Sequence, residues 1–141
     1  MFSRKVLHGG AVPGDSRVHA MSRSAEYVVD TVQRLLTVKF GRKVTFKEIE
    51  RYSQGLRTNP AFEASFAEIV DLTEVKELYL QADEFLKLAD EIDPFSPVAK
   101  RAFVARTAVQ IHAARMHKIL RVQRNIEIFH TVEEAETWIK M

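Results

Sequence analysis

The chain has 141 residues, of which 46% are hydrophobic and 28% are charged, a composition that fits one globular domain with a packed core. It contains no cysteine, which excludes disulfides, thiol nucleophiles and cysteine-ligated metal centres and favours a cytoplasmic protein. No apolar run approaches the roughly 20 residues of a membrane-spanning helix, and the N-terminal residues lack the apolar stretch of a secretory signal.

The formal net charge of +2 has its origin in the N-terminal segment, where Arg4, Lys5 and Arg17 stand against Asp15. The remainder of the chain is therefore formally neutral. Its aromatic residues are not interleaved with a basic stripe, as a platform for single-stranded nucleic acid would require. We expect no nucleic-acid partner.

The N-terminal segment also differs from the rest in pattern. It contains three glycines and a proline and shows no sustained hydrophobic period, which is typical of disorder. We predict that residues 1–22 are a disordered tail or an extension upstream of a true start at Met21, with a short targeting peptide as an alternative. Residues 23–141 are predicted to form one domain.

Two strands and a helix are predicted in the first half of this domain. Residues 26–29 and 35–40 are rich in β-branched and apolar residues and flank a turn at 30–34, which predicts an antiparallel pair. Thr45 and Glu48 have the spacing of a capping box at the start of a helix. The residues that follow at helical spacing are Ile49, Tyr52, Ser53 and Leu56, and the helix ends before Asn59-Pro60.

Alternating strands and helices are predicted in the second half. The strongly apolar residues 66–72 predict a strand in the middle of a sheet, and residues 101–105 and 126–129 predict two more. A second helix has a buried face of Phe85, Leu88, Ala89 and Ile92. The longest helix begins at Thr107, with a predicted core stripe of Val109, Ala113, Met116 and Leu120, and a capping box of Thr131 and Glu134 opens the last helix.

The element order is thus ββαβαβαβα. An opening hairpin followed by strand–helix units predicts an α/β fold with a mixed, mostly parallel five-stranded sheet and about four helices.

The order of elements and several short strings resemble a known family. The segment Ile69-Val70-Asp71-Leu72-Thr73-Glu74-Val75 resembles the third strand of the STAS domain (sulfate transporter and anti-sigma-factor antagonist). The segments Pro94-Phe95-Ser96-Pro97, Arg101-Ala102-Phe103-Val104-Ala105 and Ala114-Arg115-Met116 are similar to the bacterial SpoIIAA-like, or STAS/Sec14-like, uncharacterised family. The resemblance spans residues 27–141 and implies a SpoIIAA-like (STAS) fold.

The resemblance also implies a functional loop. In anti-sigma-factor antagonists the loop after this strand carries a serine that a partner kinase phosphorylates. The serine positions match Leu80 and Gln81 here, so that phospho-switch is not carried over. What remains is an expected protein-interaction loop with candidate residues Asp71, Thr73, Glu74, Tyr79, Leu80 and Gln81.

Motifs for catalysis and metal binding are absent from the sequence. His112 and His117 point about 140° apart on a helix and cannot share a metal. No Gly-x-Ser-x-Gly elbow, phosphate loop or dinucleotide fingerprint is present. We expect no catalytic residue, metal or cofactor, and therefore not an enzyme.

The charge is unevenly distributed along the domain. Residues 63–93 hold ten acidic side chains and two lysines, whereas residues 94–126 hold seven basic side chains and no acid. A basic face on the longest helix could attract an acidic partner or the acidic region of a second copy, or it could serve solubility alone. Its candidate residues are His117, Lys118, Arg121 and Arg124, which we expect to share the solvent-exposed side of the helix with Gln110.

Two functions follow as predictions. The first is a non-enzymatic regulatory or protein-interaction module of STAS type, acting on a protein partner or as a homodimer. The alternative, implied by the Sec14-like part of the resemblance, is a carrier of a small apolar molecule or lipid. Its pocket candidates are Phe85, Phe95, Phe103, Met116 and Leu120. Their spacing is that of an ordinary core, which is the more common use of such residues.

Overall fold

The structure, a computed structural model, describes residues 17–21, 25–122 and 125–141. Within these residues it contains eight strands and four α-helices, the second of which continues into a π-helical turn, here called the π-turn. In chain order they are β1 (Arg17–Met21), β2 (Ala25–Asp30), β3 (Leu35–Phe40), β4 (Lys43–Thr45), α1 (Phe46–Arg57), β5 (Ala67–Asp71), β6 (Glu77–Tyr79), α2 (Ala82–Lys87), the π-turn (Leu88–Ile92), β7 (Arg101–Val104), α3 (Ala108–Arg121), β8 (Ile126–Phe129) and α4 (Val132–Ile139).

The main sheet has the strand order β1-β2-β3-β5-β7-β8. Its first three strands are antiparallel, and β3, β5, β7 and β8 are parallel. The mostly parallel sheet, its five predicted strands and the order of the helices are therefore confirmed, with β5 in the predicted middle position. The short strands β4 and β6 form a separate parallel pair that the sequence did not predict.

Five residues of the predicted tail form β1. Their register with β2 pairs Arg17 with Asp30 and Met21 with Glu26. A sheet edge offers unpaired backbone groups to any extended segment. The pairing of β1 with β2 therefore needs no hydrophobic pattern, and the composition of residues 17–21 does not predict a strand there. The interpretations of residues 1–16 and 22–24 lie outside the described residues, and the division of the chain at residue 22 stays a prediction.

The two faces of the sheet are covered unequally. Helices α1, α2 and α3 lie on one face, over a large core that includes Tyr27, Leu36, Leu56 and Ile126. Helix α4 covers part of the other face through a smaller cluster of Leu35, Ile69, Ala102, Val104 and Ala135. The larger face holds the candidate site.

Helix α3 turns a different side to the sheet than the sequence predicted. Gln110 and Ala114 are fully buried, whereas Val109 is exposed and Met116 and Leu120 are only partly buried. The predicted apolar stripe lies about 100° around the helix from the buried side. The prediction was wrong because Gln110, although polar, finds partners in the core for its whole amide group.

Candidate functional site

A half-enclosed cavity of about 100 Å³ lies between the sheet and helices α1, α2 and α3. Its wall is mostly apolar and includes side chains from β3, β5 and β7 as well as from the three helices. Polar groups converge on it from several elements. They belong to Tyr52, Ser53, Glu68, Asp93, Arg101, Gln110 and His117.

Three of the five predicted pocket residues line this cavity. They are Phe85 on α2, Phe95 in the loop after the π-turn, and Phe103 on β7. Met116 and Leu120 do not line it, and both side chains are partly exposed on α3. From α3 the cavity is lined by Gln110, His117 and Ala113, the last of which belongs to the predicted stripe.

A buried ion pair joins the two strands beside the cavity. Glu68 on β5 and Arg101 on β7 are register partners, and Arg101 Nε donates to Glu68 Oε1 at 2.9 Å. Only 2% of the Glu68 side chain and 4% of the Arg101 side chain are exposed. Tyr52 on α1 donates to the other oxygen, Glu68 Oε2, at 2.7 Å, so both carboxylate oxygens are satisfied.

Asp93 is a second buried carboxylate beside the cavity, and it also pairs with Arg101. Its Oδ2 accepts from Arg101 Nη1 and lies against His117 Nε2, both at 2.7 Å, and Arg121 Nε is 3.7 Å away. Its Oδ1 accepts from the backbone N–H of Phe95 at 2.9 Å. We use the name charge cluster below for Glu68, Asp93, Arg101, His117 and Arg121.

Interactions within the charge cluster favour the ionised forms of Asp93 and Arg101. Burial alone would raise the pKa of Asp93, but the hydrogen bond from His117 and the charge of Arg101 hold it well below its usual range. Burial likewise opposes the charge of Arg101, yet Glu68 and Asp93 outweigh it and raise the pKa of the guanidinium. The two buried carboxylates and two arginines thus balance each other.

Tyr52, in contrast to Asp93 and Arg101, is held in its neutral form. Burial first, and the adjacent charge of Glu68 second, raise the pKa of its phenol well above the usual value. The ring packs edge-on against Tyr27 and Phe40. Tyr52 is therefore a neutral, fixed hydrogen-bond donor to Glu68.

The π-turn brings Asp93 into reach of the cluster. Its backbone N–H donates to the carbonyl of Leu88, five residues earlier, at 2.9 Å. The carbonyl of Ile92 accepts from the side chains of Ser53 and Arg57 on α1, which holds the end of the turn. Arg121 on α3 donates to the carbonyl of Ala89 within the π-turn and to the carbonyl of Phe95 after it.

The residues of the predicted interaction loop do not form one surface. Asp71 accepts from the backbone and the hydroxyl of Thr73, and Glu74 pairs with Lys39 at 2.8 Å. Tyr79 is half-exposed, with its hydroxyl donating to Glu77. Leu80 lines the cavity, and Gln81 precedes α2, where its backbone N–H donates to Glu84.

Gln110 connects this loop to α3. Its Nε2 donates to the carbonyls of Thr73 at 3.3 Å and Val75 at 2.9 Å. Its Oε1 accepts from the backbone N–H groups of Arg106 and Thr107 at the start of the helix. The prediction that Gln110 points to solvent is therefore wrong.

The predicted basic face is also divided. His117 and Arg121 point inward to Asp93, with 15% and 13% of their side chains exposed, so their predicted exposure is wrong. The buried carboxylate of Asp93 lies against both side chains, which offsets the loss of their hydration. Lys118 is partly exposed and lies 3.7 Å from Glu127, and Arg124 lies outside the described residues. Recognition of an acidic partner by this face stays a prediction.

The charge cluster was not predicted from the sequence, although a signal for it exists. The predicted strands 66–72 and 101–105 are apolar except for Glu68 and Asp71 in the first and Arg101 in the second. A carboxylate and a guanidinium in neighbouring buried strands need each other as partners. Asp93 gives no such signal, because its position depends on the π-turn.

The described ranges contain neither a cluster of metal ligands nor a membrane-spanning helix. No group of three histidine, aspartate or glutamate side chains there could hold a metal ion. No helix in the same residues combines the length and the apolar character needed to cross a bilayer.

The fold is similar to that of a solved protein structure. No protein family model and no curated protein matches the chain. A solved structure of an uncharacterised protein of the DUF3478 family from Shewanella loihica PV-4, described as having a SpoIIAA-like fold, is similar over 96% of this chain and 97% of that one. The TM-score is 0.53 and the sequence identity is 22%. The protein has a SpoIIAA-like fold, as its sequence resemblance implied.

Proposed function

We propose that the protein is a non-enzymatic regulatory module that binds a compact, largely apolar molecule in its cavity and presents the loop after β5 to a protein partner. The observation that carries this proposal is an apolar cavity whose charged neighbours are already paired with each other. Because the charge cluster balances internally, it does not require a charged ligand. Apolar contact with the wall supplies the affinity.

The size of the cavity narrows the ligand. Pockets for drug-sized molecules have volumes of roughly 300–1,000 Å³, and an apolar cavity of about 150 Å³ binds benzene. A volume of about 100 Å³ with a partly open side suits a molecule with a single ring or a short branched chain. It favours such a molecule over a lipid.

The cavity and the predicted interaction loop share residues. Leu72, Val75, Leu78 and Leu80 belong to the segment between β5 and α2, and all four line the cavity. A bound molecule would contact these side chains and restrain the segment that carries Thr73, Glu74 and Tyr79. In this way, occupancy of the cavity could alter the surface that a partner, or a second copy of the chain, contacts.

The chemistry of the cavity supports a binding role over catalysis. Ser53 donates its hydroxyl to the carbonyl of Ile92, and Tyr52 is committed to Glu68. Both carboxylates are held by arginine in ion pairs. The module has no phospho-switch, since Leu80 and Gln81 occupy the matching positions. Its lack of cysteine suits the reducing cytoplasm, where we place it.

Toluene is a suitable probe for this proposal. Titration of the full chain, followed by amide NMR, should give saturable shifts at cavity residues, and toluene should slow hydrogen exchange at the Val75 amide. Ala113→Leu places a larger side chain on the cavity wall and should abolish these shifts. Ala108→Leu is the matched control, because Ala108 lies exposed on the same helix. Absence of saturable binding to the wild-type protein would refute the proposed function.

A further inference from the structure

The polar atoms that line the cavity differ in how completely they are bonded. Each oxygen of Glu68 and of Asp93 accepts at least one hydrogen bond from within the protein. The amide oxygen of Gln110 accepts two hydrogen bonds, and its amide nitrogen donates two. These groups have no unmet need that a ligand would fill.

His117 is different. Its Nε2 lies 2.7 Å from Asp93 Oδ2, and its ring stands 5.9 Å from that of Phe103 on the cavity wall. Asp93 is ionised and can only accept, so His117 Nε2 carries the proton of this hydrogen bond. In the neutral imidazole the other nitrogen, Nδ1, is then an acceptor with a lone pair. Within the part of the chain that the structure describes, no donor is bonded to it.

From this arrangement we infer that His117 Nδ1 determines the specificity of the cavity by accepting a hydrogen bond from one hydroxyl or N–H group of the bound molecule. This inference rests on the proposed function. The ligand class that fits is a small aromatic alcohol such as a phenol, which has an apolar body and one donor. Asp93 contributes by fixing the tautomer that leaves Nδ1 as the acceptor.

A ligand without a donor would cover Nδ1 and leave it without a hydrogen bond. An acceptor that a ligand shields from water without a hydrogen bond lowers affinity. Phenol and toluene have nearly the same shape, so the difference between them isolates this effect. Their different hydration cancels when the same pair of probes is compared between two protein variants.

The test therefore measures the ratio of phenol to toluene affinity in the full chain near pH 8. His117→Phe keeps a ring and removes the acceptor, and we expect the ratio to fall about tenfold or more. His117→Lys is a second variant that retains a donor for Asp93 but has no acceptor, in case the first does not fold. In the wild type, phenol but not toluene should move the ¹⁵N resonance of His117 Nδ1 upfield.

The outcomes separate the two proposals. Toluene binding with a phenol-to-toluene ratio that is the same in wild type and in both variants would overturn the role of His117 and leave the proposed function standing. Failure of both probes to bind the wild type would overturn both. A ratio that falls in either folded variant, together with the upfield shift, supports the inference.

Discussion

Arg101 donates to Glu68 across two neighbouring parallel strands, and both side chains are almost completely buried. The two residues are register partners in the middle of the sheet, so the backbone ladder itself fixes their separation. Tyr52 and Asp93 then attach a helix and a loop to this pair. The pair therefore organises the polar side of the cavity.

Loss of the central cation should be costly. Arg101→Met would leave Glu68 and Asp93 without their main partner, and we expect the free energy of unfolding in urea to fall by about 3–5 kcal/mol. Lys39→Met removes an ion pair of similar length to Glu74, but on the surface, and should change stability by less than about 1 kcal/mol. Equal effects of the two substitutions would show that burial does not distinguish these pairs.

The stabilisation from Asp93 should depend on pH. Its pKa is lower in the folded protein than in the unfolded chain, so its contribution is complete above the unfolded value of about 3.9 and is lost as the pH falls toward the folded value. The stability difference between wild type and Asp93→Asn should be largest above about pH 5 and shrink toward about pH 2.

Urea unfolding at several pH values measures this difference. Glu50→Gln serves as the control, because Glu50 is an exposed carboxylate on α1. A stability difference for Asp93→Asn that stays constant between about pH 6 and about pH 2.5 would contradict the linkage.

Much of the fold could be predicted from the sequence because it depends on local patterns. Threonine at Thr45, Thr107 and Thr131 accepts from the backbone N–H three residues later, and these bonds fix three helix starts where the sequence placed them. Alternating and continuous apolar runs gave the five strands. The pairing of β4 with β6 was missed because each strand has only three residues and neither has a strong pattern.

The site could be predicted only in part. Phe85, Phe95 and Phe103 line the cavity, as the alternative prediction of an apolar pocket expected. Gln110 and His117 were assigned to solvent by their polarity, but their hydrogen-bond partners are far away in the sequence. Periodicity records how apolar a helix face is, and it carries no information on whether a distant carbonyl or carboxylate will meet a polar side chain.

Gly55 on α1 should respond unusually to substitution. Alanine normally stabilises a helix interior relative to glycine by about 1 kcal/mol. A Cβ at position 55 would lie 2.9 Å from the hydroxyl oxygen of Tyr27, whose ring is buried against Tyr52 and cannot easily retreat. Gly55→Ala should therefore destabilise the wild type but stabilise a Tyr27→Phe background. A double-mutant cycle in urea tests this change of sign, and an effect of the same sign in both backgrounds would contradict it.

Substitution of Val122 by glycine at the end of α3 should stabilise the folded protein. Its backbone has φ of 53° and ψ of 45°, a left-handed conformation that is unfavourable for a β-branched residue. Val122→Gly should raise the free energy of unfolding by about 1 kcal/mol. Val98→Gly is the matched control, since Val98 is similarly exposed and has no positive φ. If the two glycines have equal effects on thermal unfolding, the strain is not significant.

The π-turn contains one residue more than a regular helical turn would need, and this extra residue determines where Asp93 points. In a regular α-helix through the same residues, Ile92 and not Asp93 would donate to the carbonyl of Leu88, and Asp93 would lie about 100° further around the helix axis. The connection thus depends on chain length as well as residue type. The same aspartate at the end of a regular helical turn would not meet Arg101 and His117, so the shape of this short connection completes the charge cluster.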